Sequence, residues 1–181
     1  MKVVLCAINS RYSQTNPAIR SLALFADRQS STARKPRTIE IAEYTTAQPV
    51  DGIARDLFAR DGYLYAFSVY IWNRRQTFDV IAQLRGMRQD AWIVAGGPEV
   101  SFDTSAILTS HPDLDLIISG EWEEPFSALL NRLSDGQGPV NTRKAGSQFC
   151  RDIPGLSRRD GDRIFVHPID PVPLDLSTLP F

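Results

Sequence analysis

The sequence predicts an α/β domain with a doubly wound, five-stranded parallel sheet. Short β-branched runs alternate with longer segments of helical period, which is the pattern of repeated β-α units. Several of these runs are apolar on both faces, as expected of strands that helices cover from both sides. The chain has 181 residues, of which 43% are hydrophobic and 23% are charged, so it can bury one sizeable core.

Five segments have the length and residue types of buried strands, and they are residues 2–8, 38–44, 64–69, 92–95 and 114–118. The segments between them have apolar side chains three and four apart, which predicts helices over residues 17–28, 51–60, 75–89, 104–110 and 123–133. The first helix has the sharpest start, because Asn16 is a suitable N-cap and Pro17 fits the first helical position. This order is typical of flavodoxin-like and Rossmann-like sheets.

A change in composition after Ser134 marks the end of the repeated units. We therefore divide the chain into an α/β domain over residues 1–138 and a hairpin with a linker over residues 139–181. The hairpin is predicted around Asp160-Gly161, between the segments 155–157 and 163–166. Pro171, Pro173 and Pro180 predict an extended tail. Because the sequence stops at Phe181 without a polar or helical closure, we expect it to belong to a longer polypeptide.

Charge and cysteine content exclude several classes of function. The formal net charge is −1, so nucleic acid and anionic membranes are not expected as partners. The apolar start is too short for a signal peptide, and Cys6 and Cys150 fit a reducing cytoplasm. His111 and His167 do not have the spacing of a zinc site. We assign no metal-ligating residue.

The loops at the carboxyl ends of the strands are where a doubly wound sheet binds its ligand. The first loop is rich in hydroxyl and amide groups and precedes a helix N-terminus, so it suits phosphate or another polar group. A solvated capping loop is the alternative. The candidate residues of this loop are Asn9, Ser10, Arg11, Tyr12, Ser13 and Asn16.

Three further loops supply a wall and a floor for a broad, flat ligand. Large apolar side chains follow the third strand, where they either line a ligand or pack beneath the next helix. Glycines after the fourth and fifth strands allow a ligand to approach the backbone. The candidates are Ser68, Val69, Tyr70, Ile71, Trp72 and Asn73 after the third strand, Gly96, Gly97, Pro98, Glu99 and Val100 after the fourth, and Ser119, Gly120 and Glu121 after the fifth.

Motifs for common catalytic chemistries are absent from the sequence. No Gly-x-x-x-x-Gly-Lys-Ser/Thr loop occurs, and no Gly-x-Gly-x-x-Gly follows the first strand, which argues against nucleoside triphosphates and dinucleotides. Glu121, Glu123 and Glu124 could supply paired carboxylates for acid-base work, but the preference for acidic residues in the first turn of a helix accounts better for Glu123 and Glu124. Neither histidine fits a Ser-His-Asp set, so we assign no catalytic residue.

Four loop sequences carry a family resemblance, and they are residues 9–16, Tyr70-Ile71-Trp72-Asn73, Gly96-Gly97-Pro98-Glu99 and Gly120-Glu121-x-Glu123. Together they resemble the N-terminal cobalamin-binding domain of cobalamin-dependent radical S-adenosylmethionine enzymes. The resemblance covers almost the whole chain. It implies a corrinoid at the strand ends and methyl transfer or a related radical reaction in the full-length protein. Residues 175–181 look like the junction before a catalytic barrel that carries Cys-x-x-x-Cys-x-x-Cys. That motif is absent here, so the 4Fe-4S cluster and S-adenosylmethionine would belong to the covalently linked downstream domain.

The resemblance also assigns roles by position. Asn9, Ser10, Ser13 and Asn16 would meet the nucleotide tail, residues 68–73 and 96–100 would border the corrin, and Gly120 with Glu121 would close the nucleotide pocket. No Asp-x-His-x-x-Gly follows the first strand, so Tyr70, Ile71 or Trp72 would approach the lower face of the corrin. Trp122 departs from the family, which usually has a second glycine there. Two alternatives remain open: a non-catalytic interaction or regulatory domain, and a flavin or small-metabolite domain.

Overall fold

The computed structural model describes residues 1–12, 15–29, 36–135 and 150–169. The strands are β1 (Lys2–Asn9), β2 (Thr38–Thr45), β3 (Leu64–Ser68), β4 (Trp92–Gly96), β5 (Leu116–Ile118), β6 (Leu156–Asp160) and β7 (Arg163–Phe165). The helices are α1 (Pro17–Arg28), α2 (Val50–Ala59), α3 (Arg74–Met87), α4 (Pro98–Ser101), α5 (Thr104–Ser110) and α6 (Glu123–Ser134). Among these helices, none is long and apolar enough to cross a bilayer.

The strands form one mixed sheet in the order β2-β1-β3-β4-β5-β6-β7. The first five are parallel, and their order 2-1-3-4-5 is that of flavodoxin-like folds, with the switch point beside β1 and β3. The predicted α/β class is therefore confirmed, but the prediction of five strands is wrong. The predicted hairpin forms, and β6 pairs antiparallel with β5. This pairing covers an edge that would otherwise expose backbone donors and acceptors.

Helices cover both faces of the sheet, and strand β1 shows how the sequence produces this. Val4, Cys6 and Ile8 point into a core cluster with α2, α3 and α5, whereas Val3, Leu5 and Ala7 point into a second cluster with α1 and α6. All six side chains are buried. Alternate residues of a strand face opposite sides, so a strand that is apolar throughout needs a helix layer on each face.

Differences from the predicted elements are small and have local causes. The helices over residues 17–28 and 104–110 have the predicted bounds, and the others shift by one or two residues at an end. The four-residue helix α4 is too short to produce a periodic signal. Strand β5 begins at Leu116 rather than at residue 114, and Asp115 turns inward to pair with Arg85. Residues 136–149 and 170–181, which include most of the predicted tail with its residues 175–181, lie outside the described residues.

Candidate functional site

A cleft of about 410 Å³ opens at the carboxyl ends of the parallel strands. Helix α1 forms one wall with Ala18, Ile19 and Leu22, and the loops after β3, β4 and β5 form the others. The loop and helix-start residues that line it are Ser68, Tyr70, Gly97, Pro98, Ser101, Phe102, Gly120, Glu121, Trp122 and Glu123. The volume is within the ordinary range for small-molecule pockets. Three of the four loops selected from the sequence thus meet in one cleft.

A hydroxyl group lies at the end of β3 and is held from α1. Ser68 is 6% exposed and lines the cleft, and the side-chain amide of Asn16 donates a hydrogen bond to its Oγ over 3.1 Å. Asn16 also caps α1, because its Oδ1 accepts from the amides of Ala18 and Ile19. The same side chain therefore starts the helix and orients the serine.

Glu43, at the end of the edge strand β2, fixes the first loop. Its carboxylate accepts the Asn16 amide at 2.6 Å, the Asn9 side-chain amide at 3.2 Å and the Arg20 guanidinium. Burial alone would raise the pKa of this carboxyl, but these three donors outweigh it and hold the pKa below its ordinary value. Glu43 was not among the site residues predicted from the sequence, although it stands near the end of a predicted strand.

The remainder of the first loop does not enter the cleft. Asn9 is turned toward Glu43, and Ser10 and Arg11 are exposed. Tyr12 is 96% exposed. Ser13 lies outside the described residues. Asn16 connects this loop to the cleft, because its side chain donates a hydrogen bond to Ser68.

The loop after β3 divides into a buried clamp and an exposed rim. Asn73 is 1% exposed, its amide donates to the carbonyls of Ile8 and Ser68, and its Oδ1 accepts from the Tyr70 amide. It therefore shapes the loop rather than facing a ligand. Tyr70 lines the cleft and stacks on Trp72, with ring centroids 4.6 Å apart and planes 4° apart. Ile71 is 78% exposed at the same rim.

Gly97 brings the ends of β3 and β4 into contact. Its φ of 105° lies in the region that favours glycine, and a Cβ there would come within 2.6 Å of the Val69 carbonyl oxygen. The Val69 amide donates to Gly96, and the Glu99 amide approaches the Val69 carbonyl at 3.4 Å. Val69 and Val100 are fully buried, and Glu99 lies 3.6 Å from Arg74, so these three support the turn from outside the cleft.

The indole of Trp122 lies directly on Gly96. A Cβ on that glycine would fall inside the indole ring, so the contact requires the absence of a side chain. Trp122 also lines the cleft, and its ring centroid is 6.2 Å from that of Phe126 on α6. From the sequence, Trp122 was identified only as a departure from the family pattern and not as a residue of the site.

The segment after β7 returns to the end of β5. Ser119 donates its amide to Gly155, and Gly155 donates its amide to Pro168. Gly120 has a φ of 78°, and a Cβ on it would lie 3.1 Å from Cγ2 of Ile169. Ser119 is buried, and Glu121 is exposed at the mouth. Pro168 and Ile169 therefore lie beside the end of β5, next to the site, which the sequence did not predict.

Neither histidine of the chain lines the cleft, whereas Glu121 and Glu123 do. His111 stacks on Phe78 with centroids 3.8 Å apart, and burial together with Arg74 lowers its pKa, but it does not line the cleft. His167 does not line the cleft either, and its Nδ1 lies 3.0 Å from the Pro168 carbonyl oxygen. Within the part of the chain that the structure describes, no three His, Cys, Asp or Glu side chains are grouped to hold a metal ion.

Known proteins share this sequence pattern and this fold. Residues 8–130 match the model of the family described as B12 binding domain. The cobalamin-dependent radical SAM methyltransferase TokK of Streptomyces tokunonensis is 32% identical over 132 residues, or 70% of this chain. A 2-(S-pantetheinyl)-carbapenam-3-carboxylate methyltransferase of Streptantibioticus cattleyicolor is 33% identical over 102 residues, or 56% of this chain. The chain spans 18% and 13% of the lengths of these two relatives.

Solved structures with the same fold include two radical enzymes. The S-adenosylmethionine radical enzyme OxsB, with aqua-cobalamin and S-adenosylmethionine bound, aligns with a TM-score of 0.71 at 14% identity over 94% of this chain and 22% of its own. The radical methyltransferase TsrM from Kitasatospora setae, with tryptophan substrate and a SAM analog bound, aligns with a TM-score of 0.65 at 18% identity over 92% of this chain and 30% of its own. At these identities the likeness establishes the fold.

Proposed function

Because the chain belongs to the B12-binding domain family, we propose that it binds cobalamin in the cleft at the carboxyl edge of the sheet. We propose further that it is the cobalamin-binding module of a larger radical S-adenosylmethionine enzyme. The observation that carries the first proposal is the convergence of Ser68, Tyr70, Gly97 and Gly120 from three strand ends on one cleft. These residues come from the loops that carry the resemblance to the family.

The size and lining of the cleft fit part of a cobalamin molecule. A corrin with its nucleotide tail is larger than about 410 Å³, so the macrocycle would rest on the rim while a smaller part enters. The rim is suited to a flat ring, because Tyr70 and Trp72 are already stacked and Phe102 is 93% exposed. Exposed aromatic side chains beside a cleft are a common sign of a binding surface.

Ser68 is the best placed polar group for the ligand. Its Oγ accepts from Asn16, and the described residues provide no acceptor for its own hydrogen, which is therefore available to a ligand. We propose that Asn9, Asn16 and Asn73 act indirectly by holding the loops. Ser10, Arg11 and Tyr12 would contact the ligand only where it extends beyond the cleft, since they lie outside it.

The residues of this chain would bind and orient the cofactor rather than react. Bound cobalamin supplies a cobalt centre that can carry a methyl group. Both histidines of the sequence lie away from the cleft, so we propose that Tyr70, Ile71 or Trp72 faces the lower side of the corrin. Apolar and aromatic groups at that position would exclude water from it.

A separate catalytic domain would complete the enzyme. The relative TokK is named a cobalamin-dependent radical SAM methyltransferase, and the present chain covers 18% of it. We propose that a downstream domain of the full-length protein holds the 4Fe-4S cluster and S-adenosylmethionine and performs methyl transfer. Cys6 and Cys150 are buried and unbridged, which agrees with the cytoplasmic location that we propose.

Spectroscopic titration with hydroxocobalamin tests cobalamin binding by the 181-residue chain. We expect co-elution in gel filtration at micromolar concentration and a shift of the visible spectrum. Ser68→Ala should weaken binding about fivefold, the effect of one lost hydrogen bond. The control Ser105→Ala removes an exposed hydroxyl on α5 and should leave affinity unchanged.

Two results would contradict the proposal at different levels. If wild-type protein does not retain hydroxocobalamin, cobalamin binding is wrong, and the same titration with flavin mononucleotide then tests the flavin alternative. If cobalamin binds but Ser68→Ala binds it as tightly as the wild type and Ser105→Ala do, the proposed contact of the Ser68 hydroxyl with the ligand is wrong.

A further inference from the structure

The carboxylate of Glu43 holds both ends of the first loop on one oxygen atom. Its Oε1 accepts the side-chain amide of Asn9 at 3.2 Å and the backbone amide of Asn16 at 2.6 Å. Asn9 ends β1 and Asn16 is the N-cap of α1, so the two bonds join a strand end to a helix start. The other oxygen, Oε2, pairs with Arg20, one turn further along α1. One side chain therefore ties β1 and α1 to the edge strand β2.

Asn16 connects the Glu43 carboxylate to the cleft. Its backbone amide donates to Glu43, and its side-chain amide donates to Oγ of Ser68 at 3.1 Å. Ser68 lines the cleft, whereas Glu43 lines a different pocket, between β2 and α2. Because a hydrogen bond weakens steeply when its geometry is disturbed, the position of Asn16 decides how well the Ser68 hydroxyl is oriented.

Resting on our proposal that the cleft binds cobalamin with the help of Ser68, we infer that Glu43 is a positioning residue for this cofactor. Glu43 does not touch the ligand. It fixes Asn16, and Asn16 orients the hydroxyl that faces the ligand. Without the carboxylate, the side chain of Asn16 can still cap α1, but its backbone amide loses the acceptor that ties it to β2. Ordering the hydroxyl would then cost free energy at the moment of binding.

Two glutamates of the same strand provide a variant and its matched control. Glu40 also lies in β2, but its carboxylate pairs with Lys2 and Arg60 and not with the first loop. We expect Glu43→Ala to bind hydroxocobalamin about threefold more weakly than the wild type, and no more weakly than Ser68→Ala does. Glu40→Ala also removes a carboxylate with ion-pair partners, and it should leave the dissociation constant unchanged.

A double-mutant cycle with Ser68 distinguishes positioning from a general loss of stability. If Glu43 acts through the Ser68 hydroxyl, then Glu43→Ala should change the affinity of the Ser68→Ala protein by less than about 1.5-fold. A merely structural role of Glu43 would weaken binding by the same factor in both backgrounds. The four dissociation constants of the cycle come from the same spectroscopic titration, and far-UV circular dichroism reports whether each variant is folded.

The outcomes separate this inference from the proposed function. If the wild type does not bind hydroxocobalamin, cobalamin binding itself is wrong. If the wild type binds, the positioning role is overturned when Glu43→Ala binds as tightly, when it weakens both backgrounds equally, or when Ser68→Ala binds as the wild type does. If Glu43→Ala is unfolded, Glu43→Asp decides. It keeps the charge but is one methylene too short to reach both loop donors, so it should weaken binding with the same dependence on Ser68.

Discussion

The side-chain amide of Asn16 donates a hydrogen bond to Oγ of Ser68 across 3.1 Å, which joins the start of α1 to the end of β3. The two residues are 52 positions apart in the sequence. Asn16 is itself held by Glu43, whose carboxylate accepts the Asn16 backbone amide. The edge strand β2, the first loop, helix α1 and the hydroxyl in the cleft thus form one connected polar network.

Two substitutions of Asn16 should separate its role in stability from its role in ligand binding. In Asn16→Ala the α1 cap and the bond to Ser68 are both lost, and we expect unfolding free energy to fall by about 1–2 kcal/mol. In Asn16→Ser the hydroxyl can still cap the helix but is too short to reach Ser68. Urea unfolding should therefore place Asn16→Ser near the wild type, whereas hydroxocobalamin titration should show both variants weakened. Equal affinity of all three proteins would show that the Asn16–Ser68 bond does not serve binding.

Gly97 should tolerate no side chain, in contrast to Gly86. Gly97→Ala combines a positive φ with a Cβ only 2.6 Å from the Val69 carbonyl oxygen, so we expect a loss of about 1–3 kcal/mol and weaker hydroxocobalamin binding. Gly86 lies inside α3 with no atom within 4 Å of a Cβ, so Gly86→Ala should stabilise by about 0.5–1 kcal/mol. Thermal unfolding of the two variants measures the contrast, and equal stability changes would refute it.

The repeated β-α units could be predicted from the sequence because the residue patterns that indicate them are local. The N-cap at Asn16 and the double-sided apolar pattern of β1 depend on neighbouring residues alone, and both were read correctly. The addition of β6 to the sheet was not predictable in this way, because a hairpin sequence does not say which edge it joins. Trp122 and Glu43 were missed for the same reason, since their partners Gly96 and Asn9 are distant in sequence.

Glu43 should make the first loop sensitive to acid. Its folded-state pKa lies below the ordinary value of 4.5, so the carboxylate stabilises the fold at neutral pH, and this contribution is lost as pH falls through the lowered pKa. Glu43→Gln should cost about 1 kcal/mol at pH 7. The difference in unfolding free energy between wild type and variant should shrink toward zero below pH 4.5, as measured by urea unfolding at several pH values. A difference that does not change with pH would exclude a role for the charge.

The buried ion pair of Arg85 and Asp115 should matter for stability and not for binding. The two groups meet at 2.5 Å and are 4% and 9% exposed. Arg85 also donates to the carbonyl of Ala91, and Asp115 accepts the Ile93 amide, so the pair fixes the amino ends of β4 and β5, opposite the cleft. Removing one member leaves a buried charge without its partner, so we expect Arg85→Met to lose about 3–5 kcal/mol.

The double variant Arg85→Met with Asp115→Leu should lose less unfolding free energy than the two single variants lose in sum, because it removes both charges together. Urea unfolding measures the coupling between the two sites. Hydroxocobalamin affinity of whatever fraction remains folded should equal that of the wild type, since neither residue lines the cleft. A change in that affinity would show that the amino ends of the strands are energetically coupled to the cleft at their carboxyl ends, and would contradict this prediction.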